Sequence, residues 1–328
     1  MTREQFVGLA LVLIGLAGCA PDASRRASLE LGDTAFVEVE PGVRLFTRLV
    51  GDGPQTVVIP AGFFLERPLS GLADGRRLIF YDMRDRGRSD SVPDASRVGI
   101  RQDIDDLEAL REHFALERMN LIGWSYLGLM VAMYTFEHPE RVERLVQIGP
   151  IPPRSAAPYQ KAAGEALLGV LDPAELTKLQ ELAESGVRES DPQRFYEAYW
   201  RVYKPTLFGD RAKMAWYELP PSDLPNEWLH NLEPHIQAKV ASFGDFDYRA
   251  EAARLNVPVL TIHGTADLNA PIEGGREWSA AFPQGRFLPV DGAAHLAMVE
   301  QPELVQTAID VFLRGYWPEG AVRIEAGN

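Results

Sequence analysis

Three residues far apart in the chain have the types and surroundings for nucleophilic chemistry: Ser125, Asp267 and His295. A serine hydroxyl is a weak nucleophile at neutral pH. It needs a base to take its proton, a carboxylate to orient that base, and donors for the oxyanion that forms. Ser125 lies in Gly123-Trp124-Ser125-Tyr126-Leu127-Gly128, where the apolar run 121–122 meets an apolar-rich segment of helical length, 126–136. A strand that turns sharply into a helix with serine at the corner is a nucleophile elbow. Gly123 and Gly128 have no side chain to keep strand and helix apart. The usual spacing is G-x-S-x-G; here Leu127 holds the second glycine's place and the glycine is delayed to Gly128. By itself the stretch also reads as a helix capped by serine, and its partners decide between the two.

Of the six histidines, His113 falls in a helix, His138 at a helix end, and His230 and His235 in a helical insert, while His263 ends an apolar strand. Only His295, in Asp291-Gly292-Ala293-Ala294-His295, follows a strand on a flexible loop that can bend back to the elbow. Asp82, Asp267 and Asp291 all follow strands. Asp267 is the first choice for the acid, because it directly follows the strand at 257–263 and keeps the order Ser, Asp, His. Asp82 suits the bracing of the arginine-rich loop 84–89, and Asp291 sits too near His295. The backbone N–H of Tyr126 is one expected oxyanion donor. The second is that of Phe63, in a loop at 60–64 where Gly62 permits close approach.

The elements that must position these groups read as a hairpin, 35–40 and 43–50 around Pro41-Gly42, then strands at 56–59, 77–82, 119–123, 144–148, 257–263 and 286–290. Helices come between them. Ile104, Leu107, Leu110 and Phe114 form one apolar helical face; Leu304, Val305, Ala308, Ile309 and Phe312 form another. Alternation of this kind predicts a mostly parallel sheet with helices on both faces. Residues 151–245 interrupt it as an aromatic-rich helical cap, expected to cover the carboxyl ends of the strands. The core is then 35–150 and 246–318.

The chain has 328 residues and a formal charge of −14. Such acidity disfavours nucleic acid as a partner. A single cysteine, Cys19, excludes an intramolecular disulfide. Arg3, the short apolar stretch 6–18 and the run Leu16-Ala17-Gly18-Cys19 resemble a bacterial lipoprotein signal. The resemblance implies cleavage before Cys19, lipidation of that residue, a tether over 19–34, and anchoring to a membrane surface in the cell envelope, facing away from the cytoplasm.

The runs YDMRDRGRSD at 81–90, GWSYLG at 123–128, HPERV at 138–142, HGTADLNAP at 263–271 and GAAHLAMVEQPE at 292–303 together resemble the α/β-hydrolase superfamily. The resemblance covers residues 36 to 316 and is closest to its lidded, prolyl aminopeptidase-like and esterase-like group. It implies an α/β-hydrolase fold with a sheet of about eight strands. It also implies Ser125 as nucleophile, Asp267 as acid and His295 as base, with no cofactor or metal. Ala61-Gly62 replaces the usual His-Gly, and the His-Gly-Gly-Pro-Gly run and Gly-Gly-Ser-Trp-Gly elbow of prolyl aminopeptidases are absent. The expected activity is therefore hydrolysis of a small apolar or aromatic ester, lactone, thioester or amide. A peptidase would hold the substrate's amine with insert carboxylates, for which Glu197, Glu218 and Glu227 are available. A third reading is a non-catalytic envelope binding protein.

Overall fold

Apolar, β-branched runs bounded by glycine and proline build the centre of the molecule. In a computed structural model that describes residues 18–19, 33–155, 157–218 and 224–325, they form an eight-stranded sheet. Its strands are β1 (Thr34–Glu40), β2 (Val43–Val50), β3 (Gln55–Pro60), β4 (Arg76–Tyr81), β5 (Met119–Trp124), β6 (Val142–Ile148), β7 (Val259–Gly264) and β8 (Gly285–Val290). Their order is β8-β7-β6-β5-β3-β4-β2-β1. Strands β3 to β8 are mutually parallel, β2 runs antiparallel to β4, and β1 closes the edge as the hairpin partner of β2. Gly42 makes that turn at φ 78°, a conformation that costs glycine little. The predicted fold class is the one observed.

The central strand β5 is buried at all six positions, as expected of a strand covered on both faces. Helix α1 (Gly62–Leu69) follows β3, and α2 (Ile100–His113) buries Ile104, Leu107 and Leu110 against the sheet. The last described helix, Pro302–Leu313, turns Val305, Ala308, Ile309 and Phe312 inward. Two expectations are corrected. Residues 60–64 do not stay a loop, because Ala61 adopts φ 56°, ψ 54° and turns the chain straight into α1. Leu304 lies at the rim of the inward face of the Pro302–Leu313 helix and is 42% exposed.

Between β6 and β7 the chain forms α4 (Gln160–Val170), α5 (Pro173–Glu184), α6 (Val187–Ser190), α7 (Pro192–Tyr203) and α8 (Leu229–Phe243), α3 (Tyr126–Glu137) having followed β5. Asp172 and Asp191 cap α5 and α7 through their carboxylates, which satisfies first-turn N–H groups that lack intrahelical acceptors. Helix α7 is held by its own aromatics. Tyr196, Tyr199, Trp200 and Tyr203 are all buried, with ring centroids 5.6–6.0 Å apart. Tyr217–Glu218 pairs antiparallel with Gly18–Cys19. Residues 1–17, which carry the rest of the expected signal, lie outside the described residues. No helix among the described residues is long and apolar enough to cross a membrane.

Candidate active site

Ser125 stands between β5 and α3 at φ 55°, ψ −122°, a region that costs a non-glycine residue about 1–3 kcal/mol. The surroundings enforce it. Its N–H donates to the Ile148 carbonyl at 2.9 Å, and its own carbonyl accepts from Gly128 at 2.9 Å and Ile151 at 3.2 Å. A Cβ at Gly123 would collide with the Leu127 carbonyl, and one at Gly128 would press to 2.9 Å on Pro150. The delayed glycine is therefore used at the side facing Pro150, while the Leu127 side chain enters the core at 2% exposure. Ser125 is buried, and its Oγ has no hydrogen-bond partner among the described residues.

Asp267 and His295 arrive from the ends of β7 and β8. The distance from β8 to β5 is three strand spacings, about 14 Å. The chain from Asp291 to His295 crosses it because the β7 loop supports it. Ala266 N–H donates to the Ala293 carbonyl at 2.9 Å, and Gly292 N–H to Thr265 Oγ1 at 2.9 Å. A side chain on Gly264 would strike the carbonyls of Ala293 and Ala294. The imidazole ends beside the elbow. Trp124, adjacent to Ser125, donates its Nε1 hydrogen to the His295 carbonyl at 2.8 Å, with the two ring centroids 4.8 Å apart. Gly149, at φ 47°, lies beneath the Asp–His pair, where a Cβ would come within 3.2 Å of Asp267 Oδ2 and 3.3 Å of His295 Nδ1.

His295 Nδ1 and Asp267 Oδ2 are 2.6 Å apart, and both side chains are fully buried. A carboxylate only accepts, so Nδ1 carries the proton and Nε2 keeps its lone pair. Nε2 has no partner among the described residues. Asp267 Oδ1 accepts the N–H groups of Asn269 and Ala270, each at 2.9 Å. Burial alone would raise the Asp267 carboxyl. Electrostatic attraction to His295 and the hydrogen bonds of His263 and His295 outweigh it and hold the group well below the usual carboxylate range. An imidazole so oriented can accept a hydroxyl proton through Nε2 and return it to a leaving group.

His263 joins this cluster although sequence reasoning set it aside. Its Nε2 donates to the Ala270 carbonyl at 2.8 Å and lies 3.5 Å from Asp267 Oδ2. The signal available was the spacing of four residues between His263 and Asp267. Trp124 and Gly149 carried none, since their use depends on which strands are neighbours.

The oxyanion donors divide. Tyr126 opens α3, where first-turn N–H groups have no intrahelical acceptor. Phe63 does not offer its N–H to the site. It donates to Asp82 Oδ1 at 2.7 Å, because early α1 formation places it in a first turn facing the end of β4. Asp82 also accepts from Arg88 N–H at 2.9 Å and Arg88 Nε at 2.7 Å, and so braces the arginine-rich loop.

The insert carboxylates are a second correction. Glu227 is buried, receives Arg86 Nε and Nη2 at 3.0 Å each, and takes the Gly87 N–H at 2.7 Å. A carboxylate with those partners is not free for an amine. Glu197 is exposed on the outer face of α7, and the Glu218 side chain lies outside the described residues.

Another Asp–His pair, Asp85–His235, joins the same loop to α8 at 3.1 Å. Burial, with Lys239 and Arg86 nearby, lowers His235 to about 4 against the pull of Asp85. A base with a depressed folded pKa binds its proton more readily when unfolded. Its neutral burial therefore favours folding fully above about pH 6.5, and that contribution falls away as pH drops towards 4. Thermal melts from pH 7 to 4 should show this loss, and His235→Gln should flatten it; an unchanged slope in the variant would refute the assignment.

A family model described as the alpha/beta hydrolase fold matches residues 59–302. The chain belongs to that family. This α/β hydrolase is 23% identical over 287 residues to a proline iminopeptidase of Heyndrickxia coagulans, covering 85% of its own length and 97% of the relative's. In fold it is similar to an esterase from Exiguobacterium antarcticum, with a TM-score of 0.64 and 16% identity, over 86% of this chain and 100% of that one. It is similarly related to a proline iminopeptidase structure from Mycobacterium smegmatis, with a TM-score of 0.61 and 18% identity, over 86% and 98% of the two chains.

Proposed function

We propose that this α/β hydrolase is a serine hydrolase that works through an acyl-enzyme. Ser125 attacks a carbonyl, His295 takes the hydroxyl proton at Nε2 and gives it to the leaving group, and Asp267 holds the imidazolium. Water then repeats the sequence on the acyl-enzyme to release the acid. The observation that carries this reading is the buried 2.6 Å bond from His295 to Asp267, on an imidazole whose ring centre lies 4.8 Å from that of Trp124, the residue that precedes a strained serine. The Tyr126 N–H stabilises the oxyanion. The Phe63 N–H contributes only once Asp82 releases it to lean on Arg88 alone. Because Ser125 is buried, substrate enters when the helical insert, acting as a lid, moves.

The substrate is a small ester, lactone, thioester or amide with an apolar or aromatic part, a reading that rests on the aromatic-rich composition of the insert. A prolyl aminopeptidase is the second reading, favoured by the names of the relatives. The pairing of Glu227 with Arg86 weighs against it, since it removes one carboxylate an amine would need. Short p-nitrophenyl acyl esters should turn over with kcat/KM at least tenfold above a Pro-arylamide. The reverse order would favour the peptidase reading, and failure of a fluorophosphonate to label Ser125 in folded protein would favour a binding protein.

We also propose that Cys19 is lipidated and that the mature chain is anchored to the bacterial envelope through a tether ending near residue 34. The support is the Leu-Ala-Gly-Cys run and the position of the chain's single cysteine within it. Metabolic labelling with an alkyne fatty acid should mark the wild type and leave Cys19→Ser unlabelled; equal labelling of both would end this proposal.

A further inference from the structure

We infer that Lys239 is a positioning residue through which the insert sets the geometry of the elbow. The inference rests on the reading of Ser125 as nucleophile and Tyr126 as oxyanion donor. Lys239, on α8, is 2% exposed, and its ammonium reaches into the core. There it binds the Asp103 carboxylate near the start of α2 and donates to the Gly99 carbonyl at 3.2 Å. The same Asp103 oxygen, Oδ2, accepts the hydroxyl of Tyr126. Tyr126 also stacks on Phe243 at the end of α8, with centroids 5.6 Å apart, and lies 5.8 Å below the Lys239 ammonium.

Two bonds thus join the insert to the residue that follows Ser125. Burying an ammonium and a carboxylate costs several kcal/mol per ion unless they compensate each other. Asp103 Oδ1 has no partner among the described residues, so Lys239 is the close cation on that carboxylate. When α8 is seated, Asp103 is neutralised and holds the phenol in one orientation, which fixes the first turn of α3 and its N–H groups. When α8 lifts, Asp103 is left as an unbalanced buried charge and the hold on Tyr126 changes. The device couples lid closure to the donor that must meet the oxyanion.

Kinetics on a short acyl ester separate positioning from simple fastening of the lid. Lys239→Met and Tyr126→Phe should each lower kcat about 10- to 100-fold, the scale of a small misplacement at a reacting centre, with KM within twofold of wild type. Lys239→Arg should recover most of the loss. If Lys239→Met does not fold, Lys239→Met combined with Asp103→Leu removes both buried charges and should show the kcat deficit of Tyr126→Phe. A raised KM with unchanged kcat in these variants, or a kcat loss in Lys239→Met absent from Tyr126→Phe, overturns the inference. Ser125→Ala serves as the control on the underlying reading: full activity there removes the nucleophile assignment itself, whatever the Lys239 variants do.

Discussion

Ser125→Ala should lower ester turnover by roughly 10⁵–10⁶, the scale seen when a serine nucleophile is removed from an intact triad, while leaving the fold unchanged. The structure supports both halves. Ser125 Oγ makes no hydrogen bond among the described residues, so the substitution deletes no bond that holds the protein together. Alanine keeps the Cβ and therefore the strain at φ 55°. Ser125→Gly removes the same hydroxyl and the strain as well. It should be equally inactive and more stable by about 1 kcal/mol, because glycine adopts positive φ without penalty. Chemical denaturation of the three proteins beside an ester assay checks the pair. Residual turnover above a few per cent in Ser125→Ala would show that another group forms the acyl bond.

Asp267→Asn should lower kcat by about 10⁴. The asparagine oxygen can still accept from Asn269 and Ala270, which preserves the turn. Its amide nitrogen then meets His295 Nδ1, where the carboxylate oxygen stood at 2.6 Å. A donor facing a donor forces the proton onto Nε2, and the base is lost. The substitution also bears on stability. The Asp267 carboxyl is held below its ordinary range, so its ionised form favours folding above the unfolded carboxylate pKa of about 3.9. That contribution is lost only in stronger acid, as pH falls through the depressed folded value. Wild type and Asp267→Asn should therefore differ in stability near neutral pH and converge as the medium becomes strongly acidic. Parallel acid-unfolding curves would contradict this account.

The fold was legible because its signals are local. Apolar runs of strand length, helical periodicity in 104–114 and the Pro41-Gly42 turn each depend on residues within a few positions of one another. The strand-to-helix corner at Ser125 and the loops carrying Asp267 and His295 were legible for the same reason. Residues 60–64 escaped that reading because a non-glycine residue, Ala61, takes the left-handed conformation that starts α1.

By itself, then, the amino-acid order determined which groups could do chemistry, the alternation that makes a parallel sheet, and the family to which the chain belongs. Only the tertiary structure decided who partners whom. It gave the Phe63 N–H to Asp82, Glu227 to Arg86, His263 to the Asp267 cluster and Lys239 to Asp103. Each pairing but one crosses from one element to another; Phe63 and Asp82 are 19 residues apart in the chain, and Arg86 and Glu227 are 141 apart. A polar group withdrawn from water takes whichever complementary group the packing sets beside it, and that neighbour is chosen by the order of strands in the sheet.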